Sequence, residues 1–408
     1  MSWDFVTLDR LGEISRGKSK HRPRNDPSLF GGKYPFIQTA DVKAAGMYLT
    51  KYSETYNDRG LAQSKIWPKG TLCITIAANI ADTTILGIDA CFPDSVMGFI
   101  PFKNVANVKF VKYSFDILQR DCKNISQGTA QDNLSWKKLS TIKFPMPSID
   151  IQNKIVDILS AYDDLIENNQ KQIKLLEEAA QRLYKEWFID LRFPGHESVE
   201  IVDEIPEGWN IRTLGDFKHR LESGSRPKGG IDSNLKDGIP SIGAENVIGL
   251  GKYNFSSEKF ISKEFYENMN KGKLKDRDIL IYKDGAYIGR TSLFQDDFPH
   301  SEASVNEHVF LLHMDDEVLQ YYMFLTLYRP EYYLKMQNLN KNAAQPGINM
   351  KVLKTLDILV PDEAIVAEFN DLVTPIIKTI FSKSKQIKML TEARDRLLPK
   401  LMSGEIKV

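Results

Sequence analysis

The chain says nearly the same thing twice, and that limits every fold open to it. Trp3, Thr7 and Leu8 return as Trp209, Thr213 and Leu214, an offset of 206. YPFIQTADV (34–42) returns as IPSIGAENV (239–247) at 205, and GTLCITIAANIADTTIL (70–86) as RDILIYKDGAYIGRTSL (277–293) at 207. Ser95-Val96 match Ser304-Val305 at 209, and Ala130-Gln131 match Ala344-Gln345 at 214. A drifting offset means loop-length changes within one shared framework. The drift then stops: QIKLLEEAAQRL (172–183) and QIKMLTEARDRL (386–397) agree at eight of twelve positions. A collinear series of this length marks an internal duplication in which one segment is held nearly constant.

In the constant segment, apolar residues fall at Ile155, Ile158, Tyr162, Ile166, Ile173, Leu176, Ala180, Leu183 and Trp187. The steps alternate threes and fours, apart from a polar gap at Asn169, which is the pattern of a helix with one apolar seam. The second copy carries Phe369, Leu372, Ile376, Ile380, Ile387, Leu390 and Leu397 in the same register, and Arg394 stands where the first has Ala180. Each helix of ~30–35 residues would run ~45–50 Å. Neither buries its seam alone, so the two are expected to pack antiparallel as a coiled-coil spine, the alternative being that each packs only on its own domain. Asn169 and Lys383, polar at equivalent seam positions, would fix register.

The remainder reads as mainly β. Thr71 to Ile76, Asp278 to Tyr282 and Val305 to Leu312 are β-branched or alternating runs between Gly, Asn and Asp clusters. Trp136 to Lys143 and Val352 to Val360 read as strands closed by Pro147 and Pro361. The expected fold is α+β, with two mainly-β globular domains at 1–147 and 208–361 and spacer helices at 148–192 and 362–403. A solvated acidic linker is expected at 193–207, where Gly195 to Glu207 holds five acids and no Lys or Arg.

Of the 408 residues, 54 are Lys or Arg and 54 Asp or Glu, so any polyanion must be bound by local clusters rather than bulk charge. Three scattered cysteines (Cys73, Cys91, Cys122) give neither a disulfide framework nor a CxxC pair, which fits a reducing cytoplasm. MSWDFVTLDR is no signal peptide, and the most apolar stretch, Leu72 to Phe92, is interrupted by Asn79, Asp82 and Asp89, so no membrane role is expected.

Catalytic motifs are missing: no GxxxxGK[ST], GxGxxG, HExxH or GxSxG, and no N/D-P-P-Y/F methyltransferase motif. His21, His196, His219, His300, His308 and His313 are dispersed, and His308 and His313, five apart, would face opposite sides of a strand. Asp278 and Asp284 flanking Lys283 make a nuclease spacing that arises easily by chance.

Binding remains. Arg16, Lys18, Lys20, Arg22 and Arg24, with His21, form an acid-free basic stretch, answered in the second half by Lys218, His219, Arg220, Arg226 and Lys228. Such arms contact phosphates, and arginine also forks to guanine. A second candidate surface is ITIAANIADTT, with Asn79 and Thr83, answered by IYKDGAYIGRTS, with Lys283, Tyr287 and Arg290. Different residues at equivalent places would read different half-sites. A solvated loop and an ordinary hairpin are the plainer alternatives.

The Trp-x-x-x-Thr-Leu starts, IPSIGAENV, DILIYKDGAYIG, the GTAQDNLSWKKL and AAQPGINMKVL junctions, the QIKLLEEAAQRLY helices and the terminal LMSGEIKV together resemble the specificity (S) subunit of Type I restriction-modification systems, over essentially the whole chain. The family's Pro-x-x-x-Glu-Gln helix opening is altered in both copies: Ile151 replaces Glu in the first, and PDEAIVAEF lacks the Gln. The resemblance implies two target recognition domains, each reading half of a split, asymmetric site on double-stranded DNA. It implies a helical ruler that docks two modification (M) methyltransferase subunits, with restriction (R) subunits in the full complex. Adenosylmethionine, ATP and Mg²⁺ would then be bound by those partners, with no cofactor, metal or catalytic residue in this chain. A spine of ~45–50 Å would space half-sites by about 13–15 bp. A stand-alone DNA methyltransferase or nuclease, or a structural adaptor that binds no DNA, are the competing functions.

Overall fold

A computed structural model describes residues 3–76, 82–125, 139–232, 235, 237–339 and 347–408. Internal contacts divide the chain into two units: Met1–Leu165 with Leu390–Val408, and Ile166–Met389. Each unit therefore holds one globular part, the start of the long helix that follows it, and the end of the other long helix.

In unit 1 the main sheet runs Gly12–Arg16, Val96–Pro101, Leu72–Thr75, Thr83–Leu86, Tyr48–Leu49. Neighbours pair antiparallel except the last two strands, which are parallel. Leu72–Thr75 and Thr83–Leu86 are buried throughout, which is why they read as continuous β-branched and apolar runs rather than alternating ones. Alternate side chains serve two cores. Leu72 and Ile74 pack with Leu8, Phe99, Phe115 and Phe144, while Cys73 packs with Trp67, Phe92 and Leu86. A second sheet runs Glu54–Tyr56, Phe30–Phe36, Ala90–Cys91, Ile66–Trp67.

Unit 2 repeats this plan. Its sheet runs His219–Ser223, Val309–Met314, Ile279–Tyr282, Thr291–Leu293, and a smaller one Phe260–Ile261, Ile239–Ile242, Ser304–Val305. Ile279 and Ile281 again face one core and Leu280 another. The topology corrects one pairing read from sequence. Ser304–Val305 runs parallel to Ile239–Ile242 as Ala90–Cys91 runs parallel to Phe30–Phe36, so the partner of Val96 is Val309 and not Val305. The preceding loop, three residues at 87–89, has ten at 294–303, and the strand registers set the offset at 213 from Cys91 to Pro101.

The two closing strands are shorter than expected and lie later. They are Lys143–Met146, paired with Asp4–Thr7, and Asp357–Val360, paired with Asn210–Thr213. Trp136 lies outside the described residues. Val352 belongs to a helical turn, Met350–Leu353, because the Asn349 side chain accepts a hydrogen bond from its amide. The acidic segment is not a plain linker either: its ends are anchored by buried Phe193 and Pro206, and it carries a two-residue hairpin, Ile201–Val202 with Ile205–Pro206. Exposed Asp203 and Glu204 form the hairpin's turn, both at positive φ.

The long helices span Ile149–Phe188 and Glu363–Met402, 40 residues each. That is ~60 Å, longer than the seam alone suggests. They pair antiparallel. In unit 1, Ile155, Val156 and Leu159 pack with Leu398, Leu401 and Met402, and Trp3 and Leu397 pack against that cluster. In unit 2, Ile173, Ala180, Tyr184, Trp187 and Phe188 join Phe369, Val373, Ile377, Ile380 and Phe381, with Leu176, Leu183, Ile376 and Ile387 at its margin. Tyr162, Ile166 and Leu390 are half-buried, while Ile158 and Leu372, read as seam residues, are 37% and 47% exposed. Each helix must also cover its globular part, so the buried face is rotated off the narrow seam toward Val156, Leu159, Val373 and Ile377. Buried Asn169 donates to Gln386 rather than meeting Lys383, at 3.3 Å. Gln152, 1% exposed, ties the first helix to the carbonyls of Val105 and Pro147, whereas the matching position of the second helix is buried Val366.

Cys73 and Cys91 are free, buried thiols, and burial pushes both upward in pKa. Among the described residues no helix is long and apolar enough to cross a membrane.

Candidate nucleic-acid interface

In both units the first strand of the main sheet ends at a glycine pressed against another backbone. A Cβ on Gly17 would meet the carbonyls of Pro93 and Phe92 at 2.3 and 2.4 Å, and one on Gly224 would meet that of Val305 at 1.5 Å. Only glycine lets the chain leave the strand this close to its neighbour. The basic arm begins at this glycine, and it is pinned rather than loose. The Lys18 amide donates to Phe92, the Ser64 hydroxyl to the Lys18 carbonyl, and His21 pairs with Asp26 at 2.8 Å. In unit 2 the Gly224 amide donates to Asn306.

Each arm carries an arginine to a carboxylate on the adjacent loop. Arg24 donates to both oxygens of Asp94 at 2.5 and 2.8 Å, with Arg22 3.8 Å away, and Arg226 pairs with Glu307 at 2.9 Å. Arg24 and Arg226 are 48% and 61% exposed. Such surface pairs are worth ~0–1 kcal/mol, so they aim a guanidinium outward without holding it strongly. Lys18 is half-buried, and Lys20 and Lys228 are exposed. Asp94 and Glu307 were not singled out from sequence, since a lone acid in CFPDSV or VNEHV carries no signal until its arginine is located.

The second candidate surface arrives at the same loop. The Ile76 amide donates to Ser95, and the Lys283 amide to His308. Lys283 Nζ also reaches the Glu307 carbonyl at 2.9 Å, so Arg226 and Lys283 meet around one residue. Beyond Lys283, Tyr287 stands 48% exposed with the Arg290 guanidinium 4.0 Å from its ring centroid and Tyr282 edge-on at 6.2 Å. Beside the arm lies a cleft of about 590 Å³ lined by Arg226, Asp232, Glu245, Lys259, Glu307 and His308. Burial pushes the Glu245 carboxyl up, but the Lys259 hydrogen bond, a backbone hydrogen bond and the nearby Lys259 and His308 charges together outweigh it and hold the group below its ordinary value. In unit 1 the corresponding turn includes Asn79, which lies outside the described residues. Thr83 does not reach the surface: it is 7% exposed within its strand, its hydroxyl unpartnered.

Two other groups read from sequence have structural work. Arg220 is not part of the arm; it lies on the strand and forks to Asp278 at 2.6 and 2.7 Å. His313 Nδ1 donates to the same carboxylate at 2.8 Å, and Asp278 is fully buried. Asp284 pairs instead with His308 at 3.0 Å. Asp278 and Asp284 therefore serve separate partners.

The chain and its fold have counterparts among known proteins. A family profile described as the Type I restriction modification DNA specificity domain matches residues 1–178 and again 206–389. The chain belongs to this family. It is similar to the Type I restriction enzyme MjaIX specificity subunit of Methanocaldococcus jannaschii, 28% identical, over 100% of this chain and 94% of that protein. The HindI specificity subunit of Haemophilus influenzae is 23% identical over 67% of this chain and 71% of its own. In fold it is similar to the crystal structure of a Type I restriction-modification S subunit from M. genitalium, with a TM-score of 0.57 and 17% identity over 98% of this chain and 96% of that one.

Proposed function

We propose that this specificity subunit works without catalysing any reaction, each globular part reading one half of a bipartite, asymmetric DNA site. One observation carries the reading: in both units an arginine arm and a carboxylate-bearing loop converge at the same end of the same sheet, with unlike residues around them. In the first unit Lys18, Lys20, Arg22 and Arg24 would meet phosphates and bases; in the second Arg226, Lys228, Lys283, Tyr287 and Arg290 would. Unlike residues on a shared frame suit an asymmetric site. The paired helices would set the gap. Their outer faces leave Leu175 and Leu372 exposed beside a groove with Ala179, Leu183 and Ile376, apolar surface of the kind a methyltransferase subunit would cover. Two such subunits would bring adenosylmethionine and adenine methylation, and restriction subunits ATP and Mg²⁺, in the cytoplasm of the host.

The test is binding by the subunit together with its methyltransferase partner. One split duplex should be preferred at least ~10³-fold over random DNA. Equal affinity for all sequences in that complex would sink the proposal. Removing a matched heptad, 172–178 with 386–392, should shorten the preferred gap by ~3 bp, since seven helical residues span ~10 Å.

A further inference from the structure

The long helices begin and end at one repeat offset: Ile149 matches Glu363 and Phe188 matches Met402, 214 residues apart. At that offset Asp163 corresponds to Ile377, and Arg394 to Ala180. The position is occupied in opposite ways. In unit 1 the Arg394 guanidinium meets the Asp163 carboxylate at 2.6 Å, the side chains 25% and 15% exposed. The Tyr113 hydroxyl donates to the other Asp163 oxygen at 2.6 Å, and Asp395 braces the guanidinium at 2.9 Å. In unit 2 the matching Ala180 and Ile377 are both fully buried in one apolar core.

We propose that Asp163 and Arg394 are a pairing code that restricts the long-helix interface to unlike halves of this chain. If two first halves packed through their helices in this register, each Asp163 would face Ala180 and keep only its Tyr113 hydrogen bond. If two second halves did so, each Arg394 would lie against Ile377, lose Asp163 and keep only Asp395 of its own helix. Leaving one ion of a shielded pair uncompensated costs far more than forming the pair gains, so the pair contributes selectivity rather than stability. The middle of the seam creates no comparable charge conflict. Leu176 and Leu183 match Leu390 and Leu397, and Asn169 would meet Gln172 in a pair of first halves instead of the equivalent Gln386. Near-identical helices in one polypeptide invite exchange between like halves, and this charge pair blocks it.

The exposed turn at Asp203 and Glu204 allows a direct test. A protease site inserted there lets the folded full-length protein be cut into two fragments, each with one globular part and one long helix, which then re-pair on prolonged incubation. Native mass spectrometry should show unlike pairs at least ~10-fold over like pairs for the parent sequence. Asp163→Ile with Arg394→Ala copies the unit 2 pair into unit 1 and should release like pairs toward the chance mixture. Asp163→Asn with Arg394→Gln keeps the shape and removes the charge, and gives the same readout if the first variant folds poorly. Like pairs from the parent at the variants' level, or variants that remain strictly unlike, would overturn the proposal.

Discussion

Unit 1 shields an ion pair between its two helix segments at a place where unit 2 is apolar; unit 2 buries one inside its sheet at a place where unit 1 has none. The Asp163–Arg394 pair of unit 1 becomes Ile377 and Ala180 in unit 2. Conversely, the Arg220–Asp278–His313 group of unit 2 has Glu13, Thr71 and Ile100 at the matching places in unit 1. Glu13 lies across from Ile100 as Arg220 lies across from His313, and Thr71 is satisfied by the Pro68 carbonyl at 2.7 Å. Strand order and alternation between cores survive the divergence, while these two charged clusters do not. Topology is fixed by many apolar contacts at once, whereas a single charge cluster can be exchanged for apolar side chains of similar volume without moving the backbone.

The largest expected contrast lies at the helix ends. Phe188 packs in unit 2 with ring centroids 4.8 Å from Tyr322, 4.9 Å from Phe369 and 6.0 Å from Trp209. Its counterpart in unit 1 is Met402, 4% exposed and beside Leu401 and Leu398. Phe188→Ala should cost ~3–5 kcal/mol in denaturant melts and Met402→Ala about 2, because the thioether has fewer fixed contacts to lose. Equal losses would mean the two ends are anchored alike.

Next comes the ion pair. Arg394→Ala leaves Asp163 shielded with only Tyr113, and should cost ~2–3 kcal/mol, less than a fully buried pair because a quarter of the arginine is exposed. Asp163→Ile with Arg394→Ala should return to within ~1 kcal/mol of the parent. A double variant no better than the single would show that unit 1 cannot accept the unit 2 solution.

The arms give a smaller effect with a sharper pattern. Arg24→Ala should lose ~1–3 kcal/mol of discrimination in one half-site and Arg226→Ala a similar amount in the other. Binding to duplexes altered in one half at a time separates them. If either variant weakened both halves equally, its arginine would be a phosphate contact, and the independence of the two readers would need other support.

Most of this frame was legible in the sequence, because a duplication shows each element twice and chance matches do not stay collinear. The helices were visible by period, but Ile158 and Leu372 fitted the seam and are exposed, while Val156 and Val373 missed it and are buried. Periodicity reveals one buried stripe, and these helices bury a second against the globular parts. Arg220 and Arg226 looked alike as basic residues six apart; only strand pairing puts the first over Asp278 and leaves the second free of the sheet. The paired acids Asp94 and Glu307 were unreadable for a related reason, since their meaning lies in partners 70 and 81 residues away.

The smallest effect should separate the units by pH. The hydrogen bond with Asp278 raises the His313 pKa above its ordinary 6.5, against the opposing effect of burial. A group whose folded pKa is raised contributes stability that is complete below its unfolded value and is lost as pH rises through the folded one. Unit 2 should therefore loosen somewhat as pH climbs above ~6.5, and only modestly, because Arg220 still neutralises Asp278 after the imidazole loses its proton. Hydrogen exchange, corrected for its intrinsic pH dependence, should show protection falling in Val309–Met314 and Ile279–Tyr282 but not in Val96–Pro101 or Leu72–Thr75. His313→Ile, the residue unit 1 carries at Ile100, should abolish the difference. Should the unit 1 strands respond in parallel, the titration would originate outside the Asp278 cluster, and the contrast in where the two units keep their charge would have no energetic consequence at this site.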